Sequence, residues 1–483
     1  MSRRGLMVVV ALLMADVLST FELTMVLTAM PTITRSFGST DVVWLVTGAS
    51  LMATMVCALA GRLGDLYGRS RVLLIVMALA MLGSTIAAFA TNLPMLIAGT
   101  SIQGAGSAIL PLALALIRER FPSERVPFFI GVMLAGSMLG GLAGLLGGGL
   151  LVDNFGWQSI YGVSAAYAAV AIAAVWTMVG LGGARATDQR RVAMFRGAMF
   201  APAIAMLLFA ITKLRDWGIQ DLRLLGLVAA SLVIGGFWIR HQLREEHPLI
   251  NLRLLVSPQM GIPYLCIALM ALGTLQHTMI LQMFLQQPLV TGAGLGLTAT
   301  LASYALMPVR VVCVITSPVG GRLVQAFGPR SMLIYAAAAA AVGWAVIAAF
   351  PTLLPAVLAG AVIEGVAGGM LYTAASSAIV QGAPSDRIGE AAGLGAVVRA
   401  AALAVGSQVL AQILATWPVE APTGGAMPSG QAYATSFIYI AATLLVMMGI
   451  AYLLPRRHGK ARTAERAEAA EMLEQPDGAV LKL

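Results

Sequence analysis

Gly61-Arg62-Leu63-Gly64-Asp65-Leu66-Tyr67-Gly68-Arg69-Ser70-Arg71 is a short charged stretch, punctuated by glycine, between two long apolar runs. A weaker copy returns in the second half of the chain as Gly321-Arg322-Leu323-Val324-Gln325-Ala326-Phe327-Gly328-Pro329-Arg330. Each copy has GRL, then a glycine, then an arginine, and each lies between hydrophobic segments. A repeat of this length and placement implies a chain built of two related halves.

The surrounding composition sets the solvent. Of 483 residues, 59% are hydrophobic and only 11% charged, and mean hydropathy is +0.88. A water-soluble domain needs more charge than that to cover its surface, so the composition implies a polytopic membrane protein. Apolar runs of about 20 residues, enough to cross a hydrocarbon core of about 30 Å, recur along the chain. Fourteen spans are expected, at 6–30, 42–60, 72–90, 94–117, 128–151, 159–181, 197–213, 224–239, 260–286, 297–319, 332–350, 353–380, 391–415 and 435–454. The first carries Asp16 and Glu22 and lacks a small-residue cleavage site, which reads as a span and not a removable signal peptide.

An even number of spans puts both termini on one side, and charge says which. With the N-terminus cytoplasmic, the inward loops and tails hold 24 of the 30 lysines and arginines, and the outward loops hold four, Arg35, Lys213, Arg215 and Arg223. This asymmetry follows the positive-inside rule. It also accounts for the net charge of +9 without any nucleic-acid partner. The preference for arginine over lysine, with abundant alanine and glycine, points to a GC-rich bacterium. The expected location is therefore the bacterial cytoplasmic (inner) membrane.

The repeat extends past the opening stretch. Leu96-Ile-Ala-Gly-Thr-Ser-Ile-Gln-Gly104 in the fourth span reads against Val357-Leu-Ala-Gly-Ala-Val-Ile-Glu-Gly365 in the twelfth, at nearly the same offset. The expected organisation is a six-helix bundle over 1–183, two inserted helices with their loops over 184–259, a second six-helix bundle over 260–454 and a tail over 455–483. The tail mixes Arg, Glu and Ala and reads as a solvated helix followed by disorder. Parallel halves of this kind place a substrate site at their interface near the bilayer midplane.

Other chemistries find little support. Cys57, Cys266 and Cys313 all fall in apolar runs, and the four histidines show no metal-ligand spacing. A phosphate-cradling GxxxxGK[ST] loop is absent from the sequence, and so is a Ser/His/Asp or Cys/His constellation in an aqueous segment. The chain is expected to be neither an enzyme nor a cofactor or metal carrier.

Gly61-x-Leu63-x-Asp65-x-x-Gly68-Arg69-x-Arg71 resembles the loop-2/3 signature of the major facilitator superfamily, and fourteen spans resemble that family's drug:proton antiporter branch. The resemblance implies an all-α fold of two pseudo-symmetric six-helix bundles plus two inserted helices. It also implies a conformational switch at Gly61, Asp65, Gly68, Arg69 and Arg71, where an aspartate can cap a helix or bind an arginine and latch one state. Glu22-Leu-Thr-Met-Val-Leu-Thr-Ala-Met-Pro31 resembles the branch's first-helix motif, with glutamate in place of the usual aspartate. Two positions depart from the pattern: Thr100 stands where the family usually carries arginine, and Leu145 where antiporters usually carry proline.

Polar residues inside the spans are the candidate sites. A carboxyl in a membrane span favours its protonated form and can exchange a proton as its surroundings change. Glu22 is the first proton-coupling candidate, followed by Glu364 and Asp16; six residues of helix turn Asp16 well away from Glu22. Gln103 is the repeat counterpart of Glu364. Arg310 and Arg399 are the basic residues deep in spans, and pairing with Glu364 or Asp16 would offset their cost. Gln276, His277, Gln282 and Gln286 suit either a cavity wall or plain helix–helix hydrogen bonding. The expected function is export of hydrophobic or amphipathic drugs or natural products in exchange for protons, by a monomer in the lipid bilayer. The alternatives are a proton-linked importer of a specific metabolite and a non-transporting scaffold or sensor.

Overall fold

A computed structural model describes residues 3–122, 125–180, 200–245, 252, 255, 257, 259–289, 294–383, 388–420 and 426–454. Fourteen helices account for nearly all of them. The first half holds α1 (Arg3–Phe37), α2 (Trp44–Tyr67), α3 (Arg69–Ala88), α4 (Leu93–Arg120), α5 (Val126–Phe155) and α6 (Gln158–Met178). The inserted pair is α7 (Phe200–Trp217) and α8 (Leu222–Arg244). The second half holds α9 (Gly261–Gln286), α10 (299–327), α11 (329–349), α12 (Leu354–Gly382), α13 (Ile388–Thr416) and α14 (Gly430–Ala451). A short hairpin, β1 (Pro418–Glu420) with β2 (Ala426–Pro428), joins α13 to α14 and was not legible in the sequence.

Helices are the only open-ended element whose backbone polar groups are all satisfied within one segment, as a hydrocarbon environment demands. Four of the helix starts are capped by side chains. Asn92, Asp221, Thr298 and Ser429 accept backbone N–H bonds at the starts of α4, α8, α10 and α14. Large apolar side chains such as Ile75, Val170, Leu232, Val233 and Phe237 point outward, as a lipid-facing surface requires. All fourteen expected spans fall on helices, thirteen of them long and apolar enough to cross a membrane. The seventh is the weakest, with an apolar stretch of only Pro202–Leu214.

The opening stretch is more helical than its glycines suggest. α2 runs on to Tyr67, and a single residue, Gly68 (φ 95, ψ 125), makes the turn into α3. Gly328 does the same between α10 and α11 (φ 81, ψ 157). A positive φ is costly for any residue with a Cβ, so glycine at both turns is a backbone requirement. The two copies in sequence are therefore two copies in conformation. The tail over 455–483 and the basic loop carrying Arg185, Arg190, Arg191 and Arg196 lie outside the described residues.

The halves meet along two seams, α2 against α13 and α5 against α10, with α1 also touching the end of α9. The inserted α7 rests on α2 and α13 at the first seam. Among the described residues, every hydrogen bond between the halves lies at the end of the bundle away from the chain termini. Thr47 shares a 2.7 Å bond with Ser407 and accepts one from Gln408, Gln286 donates to the Thr28 carbonyl, and Asp153 accepts from the backbone N–H groups of Ala299 and Thr300. The apolar core has the same asymmetry. Met25 to Ile33 of α1 and Val42 to Val46 belong to one cluster with the second half, whereas Val8 to Leu18 pack only within the first half. The described conformation is closed at the end away from the termini.

Candidate functional site

Within the first half, α1 and α5 approach by a stripe of glycines. Gly136, Gly140, Gly144 and Gly148, one per turn of α5, lie against Leu13, Val17, Phe21 and Met25 of α1. A Cβ on Gly144 would come within 2.5 Å of the Phe21 carbonyl oxygen, so the backbones touch directly, as small-residue stripes in membranes allow. Leu145 is fully buried beside this stripe. The close packing fixes the rotation of α1 and with it the direction of its two carboxyl groups.

Glu22 points away from α5. It is 3% exposed and its Oε1 accepts a 2.9 Å hydrogen bond from Ser84 of α3, while Gln103 of α4 donates to the same Ser84 hydroxyl at 2.9 Å. Asp16 points the other way and accepts a short hydrogen bond from Ser137 of α5, with Tyr167 anchored close by to the Met14 carbonyl. The two acids of the first span thus lie at separate sites, and among the described residues Asp16 is bonded by the Ser137 hydroxyl and not by an arginine.

Glu22 lines a cavity of about 90 Å³ enclosed by α1, α2, α4 and α13. Its polar wall includes Gln103, Thr100, Ser50 and Arg399, and its apolar wall includes Val26, Leu45 and Leu403. Thr100 shares a 3.2 Å hydrogen bond with Tyr161. Three of the residues singled out in sequence, Glu22, Gln103 and Arg399, meet here, one contributed across the seam by the second half.

A second cluster lies wholly in the second half. Glu364 is 2% exposed and accepts a 2.6 Å hydrogen bond from Thr274, which also receives the Trp344 indole N–H at 3.4 Å. Its other oxygen, Oε2, is buried with no hydrogen-bond partner. Arg310 is close enough for its charge to act on Glu364 and donates to Thr278, and His277 Nδ1 lies 3.1 Å from the Thr274 carbonyl. None of these residues lines the cavity.

The remaining glutamines serve the packing. Gln276 donates to the carbonyls of Ala271 and Leu403. Gln286 donates to Gln282 at 2.8 Å and across the halves to Thr28. None of the three lines the cavity, although Leu403, which Gln276 bonds, does. At the opening stretch, Arg69 donates to the Ala115 carbonyl at 3.0 Å and lies 3.7 Å from Glu119, tying the turn to the end of α4. Arg71 is exposed, and the side chain of Asp65 lies outside the described residues. Sequence reasoning missed Ser84, Thr274, Trp344, Thr47, Ser407 and Asp153. Ser84 and Trp344 each follow a glycine, Gly83 and Gly343, at matching points of the repeat, and that doublet was the available signal.

Two repeated helical halves, joined along paired seams around a partly polar cavity with buried carboxyl groups nearby, define a multi-pass membrane transporter. The chain belongs to the Major Facilitator Superfamily, whose profile matches residues 12–407 and, in a second match, 264–481. It is 28% identical to the drug efflux pump JefA of Mycobacterium tuberculosis over 84% of this chain and 78% of that protein. It is 27% identical to the tetracenomycin C resistance and export protein of Streptomyces glaucescens over 61% of this chain and 54% of that protein. Among solved structures, a D-xylose–proton symporter superposes with a TM-score of 0.66 at 15% identity, covering 94% of this chain and 99% of that one. At that identity the likeness is one of fold.

Proposed function

We propose that this transporter exports hydrophobic or amphipathic compounds, such as drugs or natural products, in exchange for protons. The observation that carries the reading is Glu22: a buried carboxyl in the wall of the cavity at the junction of the halves, held by one hydroxyl and free of any basic partner within ion-pair distance among the described residues. Such a group can gain and lose a proton as the cavity changes its access. Relatives named for drug efflux and for tetracenomycin C resistance and export support the direction.

In this reading Glu22 is the principal proton site, with Glu364 and Asp16 as secondary ones. Gly61, Asp65, Gly68, Arg69 and Arg71 form the switch between access states, and Gln276, His277, Gln282, Gln286 and Arg310 line the path once the halves rearrange. Both termini face the cytoplasm of a bacterial cell, so the closed end faces outward and the described state is inward-facing. The protein works as a monomer, with a bundle over 1–183, an inserted pair over 184–259, a bundle over 260–454 and a cytoplasmic tail.

The test is a resistance panel in an efflux-deficient bacterial host, with and without a protonophore. Expression is expected to raise tolerance to several aromatic or amphipathic antibiotics, and the protonophore is expected to abolish the gain. Tolerance equal to that of the empty host across the panel would overturn export. A gain that survives the protonophore would overturn proton coupling alone.

A further inference from the structure

Resting on the reading that the cavity beside Glu22 is the substrate site, the geometry points to Arg399 as an anchor for an acidic group, so that the preferred substrates are amphipathic compounds bearing a carboxylate or a similarly acidic hydroxyl. The cavity wall contains two ionisable side chains of opposite sign, Glu22 from α1 and Arg399 from α13. They differ in what holds them. Glu22 has its hydrogen bond from Ser84, behind which Gln103 is bonded in turn. Arg399 has no hydrogen-bond or ion-pair partner among the described residues; the thiol of Cys57, which lines the same cavity, feels its charge.

A guanidinium in the middle of a membrane span is costly unless something solvates it, and such groups mark substrate or ion pathways when they face a cavity. The other arginine deep in a span shows the contrast, because Arg310 has both a hydroxyl partner in Thr278 and the charge of Glu364 nearby. Arg399 presents five donors in a fixed plane, the arrangement that matches a carboxylate two-pronged. Val26, Leu45, Val46 and Leu403 supply the apolar surface around it. A planar acidic group on a hydrophobic body fits both features of the wall, whereas a permanently cationic body would meet an unpaired like charge.

The experiment measures binding to the full-length protein in nanodiscs, using dansylglycine and its methyl ester, which share one apolar body and differ in the acidic group. Wild type is expected to bind the acid about tenfold or more tightly than the ester, the usual worth of a charge-assisted hydrogen bond. Arg399→Gln is expected to bring the acid down to the level of the ester while leaving ester binding within about twofold. Arg399→Lys, which keeps the charge but not the fork, is expected to retain part of the preference and controls for a failure of the glutamine variant to fold. Equal binding of acid and ester by wild type, binding of neither, or an equal loss of both in Arg399→Gln would each overturn the assignment. Binding needs neither a proton gradient nor a direction of transport. An acid preference without drug resistance would sink the export reading and leave this one standing, and resistance without an acid preference would do the reverse.

Discussion

In the first half, Gly83 of α3 lies against Gly99 and Gln103 of α4; in the second half, Gly343 of α11 lies against Gly360 and Glu364 of α12. The backbones touch in both places: a Cβ on Gly83 would meet the Gln103 nitrogen at 2.3 Å, and one on Gly343 would meet the Gly360 oxygen at 2.6 Å. The frame is repeated but the chemistry set into it is exchanged. The first half puts an amide on the inner helix (Gln103) and borrows its acid from α1 (Glu22). The second half puts the acid on the inner helix (Glu364) and borrows a hydroxyl from α9 (Thr274). Only the first arrangement opens onto the cavity, while the second is sealed under Trp344 with one carboxyl oxygen unpartnered. Symmetric packing thus carries asymmetric polarity: the first half turns its acid to the cavity, while the second keeps its acid buried with the charge of Arg310 nearby.

Exchanging each acid for its amide tests that asymmetry most strongly. Glu22→Gln is expected to reduce gradient-driven efflux of a dye from energised vesicles to the passive leak. The amide keeps the hydrogen bond with Ser84 but carries no exchangeable charge. Glu364→Gln is expected to leave measurable efflux, because its site is shut off from the cavity. Equal loss in the two variants, at equal yields of inserted protein, would erase the functional distinction between the halves.

Adding one methyl group to the shared frame should instead treat the halves alike. Gly83→Ala and Gly343→Ala each force backbone apart at contacts below 3.0 Å, and overpacking of this kind costs about 1–3 kcal/mol. Both variants are expected to lower the thermal midpoint of the purified protein by several degrees. A drop confined to one of them would mean that the repeat is one of sequence and not of mechanical load.

Much of this architecture could be read in advance, for physical reasons. Hydrocarbon imposes one element type and a minimum length, so the spans from Leu6 to Leu454 declared themselves by apolar run alone. The turn glycines at Gly68 and Gly328 were legible because a positive φ excludes most other residues. The polar partners were not, because a single serine in an apolar helix looks the same whether it bonds its own backbone or a carboxyl on another helix. Ser84 is within reach of both, its Oγ 2.9 Å from the Ala80 carbonyl and 2.9 Å from Glu22. Helix rotation decides such matters, and rotation is set by packing between distant segments. The same limit hid the division of the glutamines, since Gln276 and Gln286 carry a cavity-like pattern yet bond to backbone carbonyls.

The smallest expected effect concerns the seams that close the far end. They occupy equivalent positions in the repeat, α5 with α10 and α2 with α13, yet are fastened differently. Asp153 reaches from the end of α5 to two free N–H groups at the start of α10, 2.7 Å from that of Thr300, so a carboxylate meets the positive end of a helix dipole. Gly149 permits that approach, because a Cβ there would lie 2.8 Å from the Ala299 oxygen. The other seam uses the neutral trio Thr47, Ser407 and Gln408, which α7 extends through Thr212. A charged cap of this kind is worth about 1–2 kcal/mol, against about 0.6 kcal/mol for a neutral interhelical hydrogen bond in a membrane. Asp153→Asn is therefore expected to open the far end more often than Thr47→Val. The measure is the labelling rate of a cysteine placed at Ser303 by a membrane-impermeant maleimide, in protein lacking Cys57, Cys266 and Cys313. About a three- to tenfold rise for Asp153→Asn is expected, with less than about threefold for Thr47→Val. If Thr47→Val labels faster, the neutral seam is the stronger fastening and α7, through Thr212, holds the end shut.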